Sequence, residues 1–130
     1  MFSKKKGKSV SFLTTDKKQE LMDKIKLNNK INSIPGICVV EEQKNRIGVV
    51  LTDQLHQALD TSLQESSMLF IDKVSCEYVN GYINMPVWYF DFTTNKDLII
   101  DRLYKYLSGL IYFCNDVWSI GVDINGLNLS

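Results

Sequence analysis

The sequence predicts one α+β domain in which two β-hairpins form an antiparallel sheet and three helices pack on it. Short runs rich in β-branched residues come in pairs, and a polar turn separates the members of each pair, a pattern typical of hairpins. Three longer segments carry apolar residues at helical spacing. A chain of 130 residues suits one domain and leaves little room for a second. The expected order is α-β-β-α-β-β-α.

The N-terminal region begins with a basic tail and continues with a helix. Residues 1–9 are rich in lysine, glycine and serine and have little to bury. They are therefore predicted to be a flexible tail, and residues 10–130 to form the domain. A helix is predicted from about Asp16 to Lys30, where a short polar side chain at Thr15 or Asp16 can cap the first turn.

The first hairpin is predicted in residues 37–40 and 47–51, which are short apolar runs joined by a polar turn. The helix that follows begins at Thr52-Asp53, because the Thr52 hydroxyl can cap a free N–H group there. It is expected to end near Ser66, and its leucines fall on one face.

The stretch from Ile34-Pro35-Gly36 through these two strands to the amphipathic helix resembles roadblock-type adaptor domains in its order of elements. The resemblance covers residues 34–65 and lies in topology. It implies an adaptor or scaffold domain that dimerises through its sheet or its central helix.

The second hairpin is predicted around the Asn-Gly pair at 80–81, which suits a type I′ turn. Counting outward from this turn places Tyr78 opposite Ile83 on an apolar face. Beyond Pro86 the apolar parity is reversed, so that Trp88 would point to the other face. Because proline cannot donate to a ladder, a bulge or bend is predicted at Pro86.

The third helix is predicted to begin at residues 94–97 and to run through Ile111. Its apolar face is wide, as expected for a central helix. Residues 117–124 are rich in β-branched residues and could add a final strand.

The net charge of zero is a cancellation between two unequal parts of the chain. Residues 1–30 hold nine lysines against three acidic residues, a net charge of +6, and residues 31–130 hold six basic residues against twelve acidic ones, a net charge of −6. A basic N-terminal part followed by an acidic remainder indicates two surfaces of opposite charge, one of which can bind a charged partner.

Motifs for catalysis are incomplete in this sequence. The only histidine, His56, lies within the second predicted helix and is expected to be a surface or boundary residue. Gly7-Lys8-Ser9 resembles the end of a phosphate-binding loop, but the further glycine required at position 2 is Phe2. We therefore predict a protein that is not an enzyme and that uses neither a cofactor nor a metal.

The three cysteines, Cys38, Cys76 and Cys114, are far apart and lie in apolar surroundings. This arrangement is typical of reduced, buried thiols in a cytoplasmic protein rather than of a disulfide frame. No apolar run approaches the length of about 18 residues that a membrane helix needs.

The second hairpin carries the candidate binding site. Tyrosine and tryptophan supply large contact areas at low entropic cost, and carboxylates on the same strands suit a basic protein partner. The candidate partner-binding residues are Asp72, Glu77, Tyr82, Trp88, Tyr89 and Asp91.

The function predicted from these features is that of a small protein-binding inhibitor, of the kind that bacteria use as immunity proteins against toxins. One alternative is the roadblock-like adaptor, which would form a homodimer. Another is a binder of nucleic acid or of an anionic membrane surface through the lysine-rich N-terminus, with Lys4, Lys5, Lys6 and Lys8 as its charged residues.

Overall fold

The computed structural model of the protein describes residues 11–65, 70–81 and 83–111. In chain order the elements are α1 (Thr15–Ile25), a 3₁₀-helix (Lys30–Ser33), β1 (Ile37–Gln43), β2 (Arg46–Leu51), α2 (Asp53–Glu65), β3 (Lys73–Val79), β4 (Met85–Asp91) and α3 (Lys96–Ile111). The strands form one antiparallel sheet in the order β1-β2-β4-β3. This confirms the predicted fold class and the order of the helices and hairpins. The predicted final strand at 117–124 lies outside the described residues.

Helices cover both faces of the sheet and create two apolar cores. The larger core lies between one face and the helices α2 and α3; its members include Ile47, Val49, Leu55, Leu59, Trp88, Phe90, Leu103 and Leu107. The smaller core lies on the other face beneath α1; its members include Leu13, Leu21, Cys38, Val50, Met85, Val87 and Tyr89. A sheet buried on both faces explains why its inner strands are apolar at nearly every position.

The predicted bulge at Pro86 is wrong. The β3–β4 register runs without a shift from Lys73↔Asp91 to Val79↔Met85. Apolar side chains lie on both faces of β4 because each face contacts a core. Val87 points into the smaller core, and its neighbour Trp88 points into the larger one. The irregularity in the sheet lies instead in β1, between Val39 and Glu41.

The connection between β3 and β4 is longer than the predicted two-residue turn. Val79 pairs with Met85, and Tyr78 lies opposite Pro86 rather than Ile83. Asn84 adopts a positive φ of 51°, and its side-chain oxygen accepts a hydrogen bond from the Gly81 N–H at 3.1 Å. The Asn-Gly pair therefore lies within a wider loop, and this moves every cross-strand pair away from the predicted register.

Pro86 determines where the central ladder ends and where the N-terminal segment attaches. The β2–β4 register stops at Val49↔Trp88, and its next hydrogen-bonded pair would join Leu51 to Pro86, which has no N–H to donate. The Leu51 carbonyl accepts instead from the Leu13 N–H at 3.0 Å. The missing proline donor thus leaves an acceptor that holds the segment before α1 against the sheet.

The first helix is shorter than predicted. Its N-cap is Thr14, whose side chain accepts from the Lys17 N–H, and it ends at Ile25 rather than near Lys30. Lys26 adopts a left-handed conformation with φ of 57° and donates its N–H to the Met22 carbonyl, which closes the helix. The predicted starts of α2 and α3 agree with the structure, and the described residues of the two helices extend to Glu65 and Ile111.

Candidate functional site

Trp88 is a core residue that ties β4 to α2. Its side chain is only 5% exposed, and its indole N–H donates to the Nδ1 atom of His56 at 3.0 Å. On its other side the His56 ring lies against Phe12, with 5.0 Å between the ring centroids. Trp88 therefore satisfies its polar group inside the protein and offers little surface to a partner.

Tyr89 is also largely buried, with 9% of its surface exposed. Its ring packs over Gly48, and the Arg46 guanidinium lies 4.6 Å from the ring centroid on a cation–π contact. Burial raises the pKa of the Tyr89 hydroxyl, and the carboxylates of Glu41 and Glu77 raise it further. The predicted aromatic surface of the hairpin thus does not include Trp88 and Tyr89 as exposed side chains.

Asp91 is engaged by a neighbour on the adjacent strand. Arg46 donates from Nε to Oδ1 at 2.6 Å and from a terminal nitrogen to Oδ2 at 3.2 Å. These hydrogen bonds hold the pKa of Asp91 below its ordinary value. A partner that used Asp91 would have to compete with this two-point ion pair.

Of the remaining candidate residues, two are exposed and one lies outside the described residues. Asp72 and Glu77 are exposed, the first just before β3 and the second within it. Tyr82 lies outside the described residues, and so do the four lysines of the N-terminal segment.

Among the described residues of the hairpin, the exposed aromatic residue is Tyr78, which was not among the candidates. It is 47% exposed, and its hydroxyl donates to the Asn84 carbonyl at 3.2 Å. One signal for it was present in the sequence, because 73–79 holds lysine, serine and glutamate whereas 85–91 is apolar at most positions. This contrast is typical of an edge strand beside a central one.

Tyr78 belongs to a surface where the edge of the sheet meets α2. Along β3 the side chains of Val74, Cys76 and Tyr78 share the face on which α2 packs, since their partners on β4 include Trp88 and Phe90 of the larger core. Cys76 was predicted to be buried, but it is exposed on this face because its strand lies at the edge of the sheet. Asp60 of α2 acts on its thiol electrostatically. We call the group Asp60, Cys76 and Tyr78 the α2–β3 surface.

The electrostatics of the α2–β3 surface are acidic. The sequence of α2 contains Asp53, Asp60 and Glu65 and neither lysine nor arginine. Partial burial raises the pKa of the Cys76 thiol, and the carboxylates of Asp60 and Glu77 raise it further. The thiol is thus kept protonated at neutral pH and is a weak nucleophile, whereas the carboxylates attract positive charge.

A second polar site lies at the opposite end of the sheet, between the β1–β2 turn and the start of α3. Its central group is Glu42, which forms an ion pair with Lys96 at 3.0 Å and accepts from the Asn29 amide at 2.8 Å. Burial alone would raise the pKa of Glu42, but the hydrogen bonds from Asn29 and Lys96 lower it below its ordinary value. The charges of Glu42 and Lys96 in this groove are therefore paired with each other within the protein.

The rest of the described chain gives no stronger candidate. Within residues 11–65, 70–81 and 83–111, no three His, Cys, Asp or Glu side chains lie close enough together to hold a metal ion. No described helix is long and apolar enough to cross a membrane.

Comparison of the chain with models of protein families, with curated proteins and with solved structures gives no significant match. The topological resemblance of residues 34–65 to roadblock-type adaptor domains therefore gains no support from related sequences or folds.

Proposed function

We propose that the protein is a binding domain that holds a basic partner protein through the α2–β3 surface. The observation that carries this proposal is the exposed ring of Tyr78 on a sheet edge beside a helix that has acidic residues and no basic ones. An acidic surface raises the rate of encounter with a basic partner. A tyrosine ring supplies contact area and a hydroxyl group for the docked state.

The arrangement suits an inhibitor, such as an immunity protein, because binding alone is enough to block a partner's active surface. Tyr78 is held by its bond to the Asn84 carbonyl, so little side-chain entropy is lost on docking. Asp60 lies on an α-helix that is packed against the core. The Tyr78 side chain and the backbone that carries Asp60 are therefore fixed before a partner arrives.

The test is affinity capture of partners from the cells that produce the protein, followed by titration with each captured protein after purification. The variant Asp60→Lys/Tyr78→Ala is compared with the matched variant Glu20→Lys/Phe70→Ala, which makes the same types of change on α1 and at a ring that contacts Arg102 of α3. A protein counts as the partner only if it is basic and the first variant alone weakens its binding, by about tenfold or more. Equal binding of both variants, or a partner that is acidic, would contradict the proposal.

The inhibitor assignment has its own test. The activity of the purified partner is measured with increasing amounts of the protein, and it should fall to its limit at a stoichiometric ratio. A partner that is bound at saturation and keeps full activity would show a binding domain that is not an inhibitor.

A further inference from the structure

We propose that two copies of this chain pair through the outer edge of β3, with Lys73 of each copy opposite Glu77 of the other. The pairing would join the two sheets into one antiparallel sheet across a two-fold axis. This inference goes beyond the proposed function and does not rest on it, because it concerns the backbone edge of β3 rather than the acidic side of α2.

The two edge strands of the sheet, β1 and β3, differ in how far other described parts of the protein cover them. At the β1 edge, the Val39 N–H donates to the side-chain oxygen of Asn32 at 2.7 Å, and the 3₁₀-helix and α1 pack beside the strand. At the other edge, no strand of the described residues pairs with the outer side of β3. Natural sheets protect their edges or use them for pairing, and β3 has no bulge or proline to prevent pairing.

The alternation of the ladder shows which backbone groups of β3 point outward. The Phe92 N–H donates to the Asn45 carbonyl at 3.0 Å and continues the β2–β4 register. Counting back in steps of two, the backbone groups of Phe90 and Trp88 face β2, so those of the residues between them face β3. The β3 residues that pair with those residues direct their own N–H and C=O groups back toward β4. Val74 and Cys76 alternate with them along β3, so their N–H and C=O groups are directed away from the sheet.

The charges of β3 select one two-fold register. With Ser75 on the axis, Val74 of each copy forms a hydrogen-bonded pair with Cys76 of the other, and Lys73 faces Glu77 twice. Lys73 and Glu77 are then non-hydrogen-bonded pairs, in which the side chains approach most closely. Both residues are exposed, and within one strand they are about 13 Å apart, too far to pair with each other.

Neighbouring registers lack this complementarity. Moving the axis to Cys76 would place Lys73 opposite Val79, and moving it to Val74 would place Lys73 opposite Ser75. A register centred on Ser75 places this residue beside its own copy at the two-fold axis.

The test is sedimentation velocity of the full chain over a wide concentration range, with the variants Lys73→Glu and Glu77→Lys each measured alone and then mixed. Each variant alone places like charges opposite each other and should weaken self-association by about tenfold. An equimolar mixture should restore association, because a heterodimer has opposite charges in both pairs. Lys44→Glu, on the β1–β2 turn, is the matched control and should behave as the wild type.

A crosslink tests the register directly. In a background with Cys76→Ser and Cys114→Ser, the variant Ser75→Cys should form a covalent dimer on mild oxidation, because the two residues lie side by side at the axis. A wild-type chain that stays monomeric at all concentrations would overturn the proposal. So would a mixture of the two charge variants that associates no better than either alone. Asp60→Lys should leave association unchanged, which separates this inference from the proposed function.

Discussion

The hydrogen bond from the Trp88 indole to His56 Nδ1 joins the central strand of the sheet to the helix above it. An imidazole nitrogen that accepts a hydrogen bond carries no proton. The only histidine in the sequence thus accepts a hydrogen bond from a buried tryptophan and has a structural role.

Replacing His56 with alanine should destabilise the protein by about 1–3 kcal/mol, because the buried indole N–H would lose its acceptor. Urea unfolding followed by tryptophan fluorescence, in a Trp118→Phe background, measures the change. The neighbouring exposed residue supplies the control, since Gln57→Ala should shift the unfolding free energy by less than about 0.5 kcal/mol. A His56→Ala protein as stable as that control would show that the bond contributes nothing to stability.

Lys18 stabilises the end of the 3₁₀-helix. Its ammonium group donates to the carbonyls of Asn32 at 2.7 Å and Ile34 at 3.0 Å, and burial lowers the pKa of Lys18. Lys18→Met should keep the apolar stem but leave these carbonyls without their donor, at a cost of about 1–2 kcal/mol in the free energy of unfolding. Thermal and urea unfolding should show this loss for Lys18→Met and no loss for Lys44→Met on the exposed turn.

Two glycines should respond to alanine in opposite directions. At Gly48 a Cβ atom would lie 3.0 Å from the Tyr89 ring and 3.2 Å from a Val87 methyl group, so Gly48→Ala should destabilise by about 1–3 kcal/mol. At Gly109, within α3, a Cβ would meet nothing within 4 Å, so Gly109→Ala should stabilise by about 0.5–1 kcal/mol. Equal effects in calorimetry would contradict the close packing of Tyr89 on β2.

The carboxylates with lowered pKa values predict sensitivity to acid. Asp91 and Glu42 have pKa values held below the ordinary range, by hydrogen bonds from Arg46 and from Asn29 and Lys96 respectively. In the folded protein they bind protons less readily than in the unfolded chain, so the stability they contribute is present above about pH 4 and is lost as the pH falls through their folded values. Urea unfolding from pH 7 to pH 3 should show a falling midpoint.

The substitution Asp91→Asn should reduce this dependence by removing one of the linked protons. Its stability should therefore be closer to that of the wild type at pH 3 than at pH 7. The matched control is Gln57→Ala on the exposed side of α2, which removes no group that titrates between pH 3 and pH 7 and should leave the pH profile of the wild type unchanged.

The order of elements could be predicted because it depends on local patterns. The spacing of leucines in α2 and the cap at Thr52 act within a few residues, and the structure uses that cap. At α3 the cap is Asn95, one residue after the Thr94 position that the capping-box spacing predicts. The register of the second hairpin could not be predicted in the same way. It depends on the length of the loop after Val79, where Asn84 rather than the Asn-Gly pair alone fixes the geometry.

The burial of the candidate site residues could not be predicted from local sequence, because it depends on the order of the strands in the sheet. An alternating pattern with one apolar face predicts a strand whose other face is exposed to solvent. Trp88 and Tyr89 are consecutive and therefore lie on opposite faces, so this pattern predicts that one of them is exposed. The structure places β4 between two strands and under helices on both sides, so both are buried. The same strand order exposes Tyr78 on the edge, where local sequence predicted an inward position.

The pairing of β2 with β4 also has a kinetic meaning. Each hairpin joins residues that are close in the chain, but the ladder between the hairpins joins Arg46 to Asp91, 45 positions apart. Closing so long a loop is costly before any contact across it can form. Docking of one preformed hairpin on the other should therefore be the slow step of folding, and substitutions at the Val49–Trp88 pair should slow refolding more than they speed unfolding.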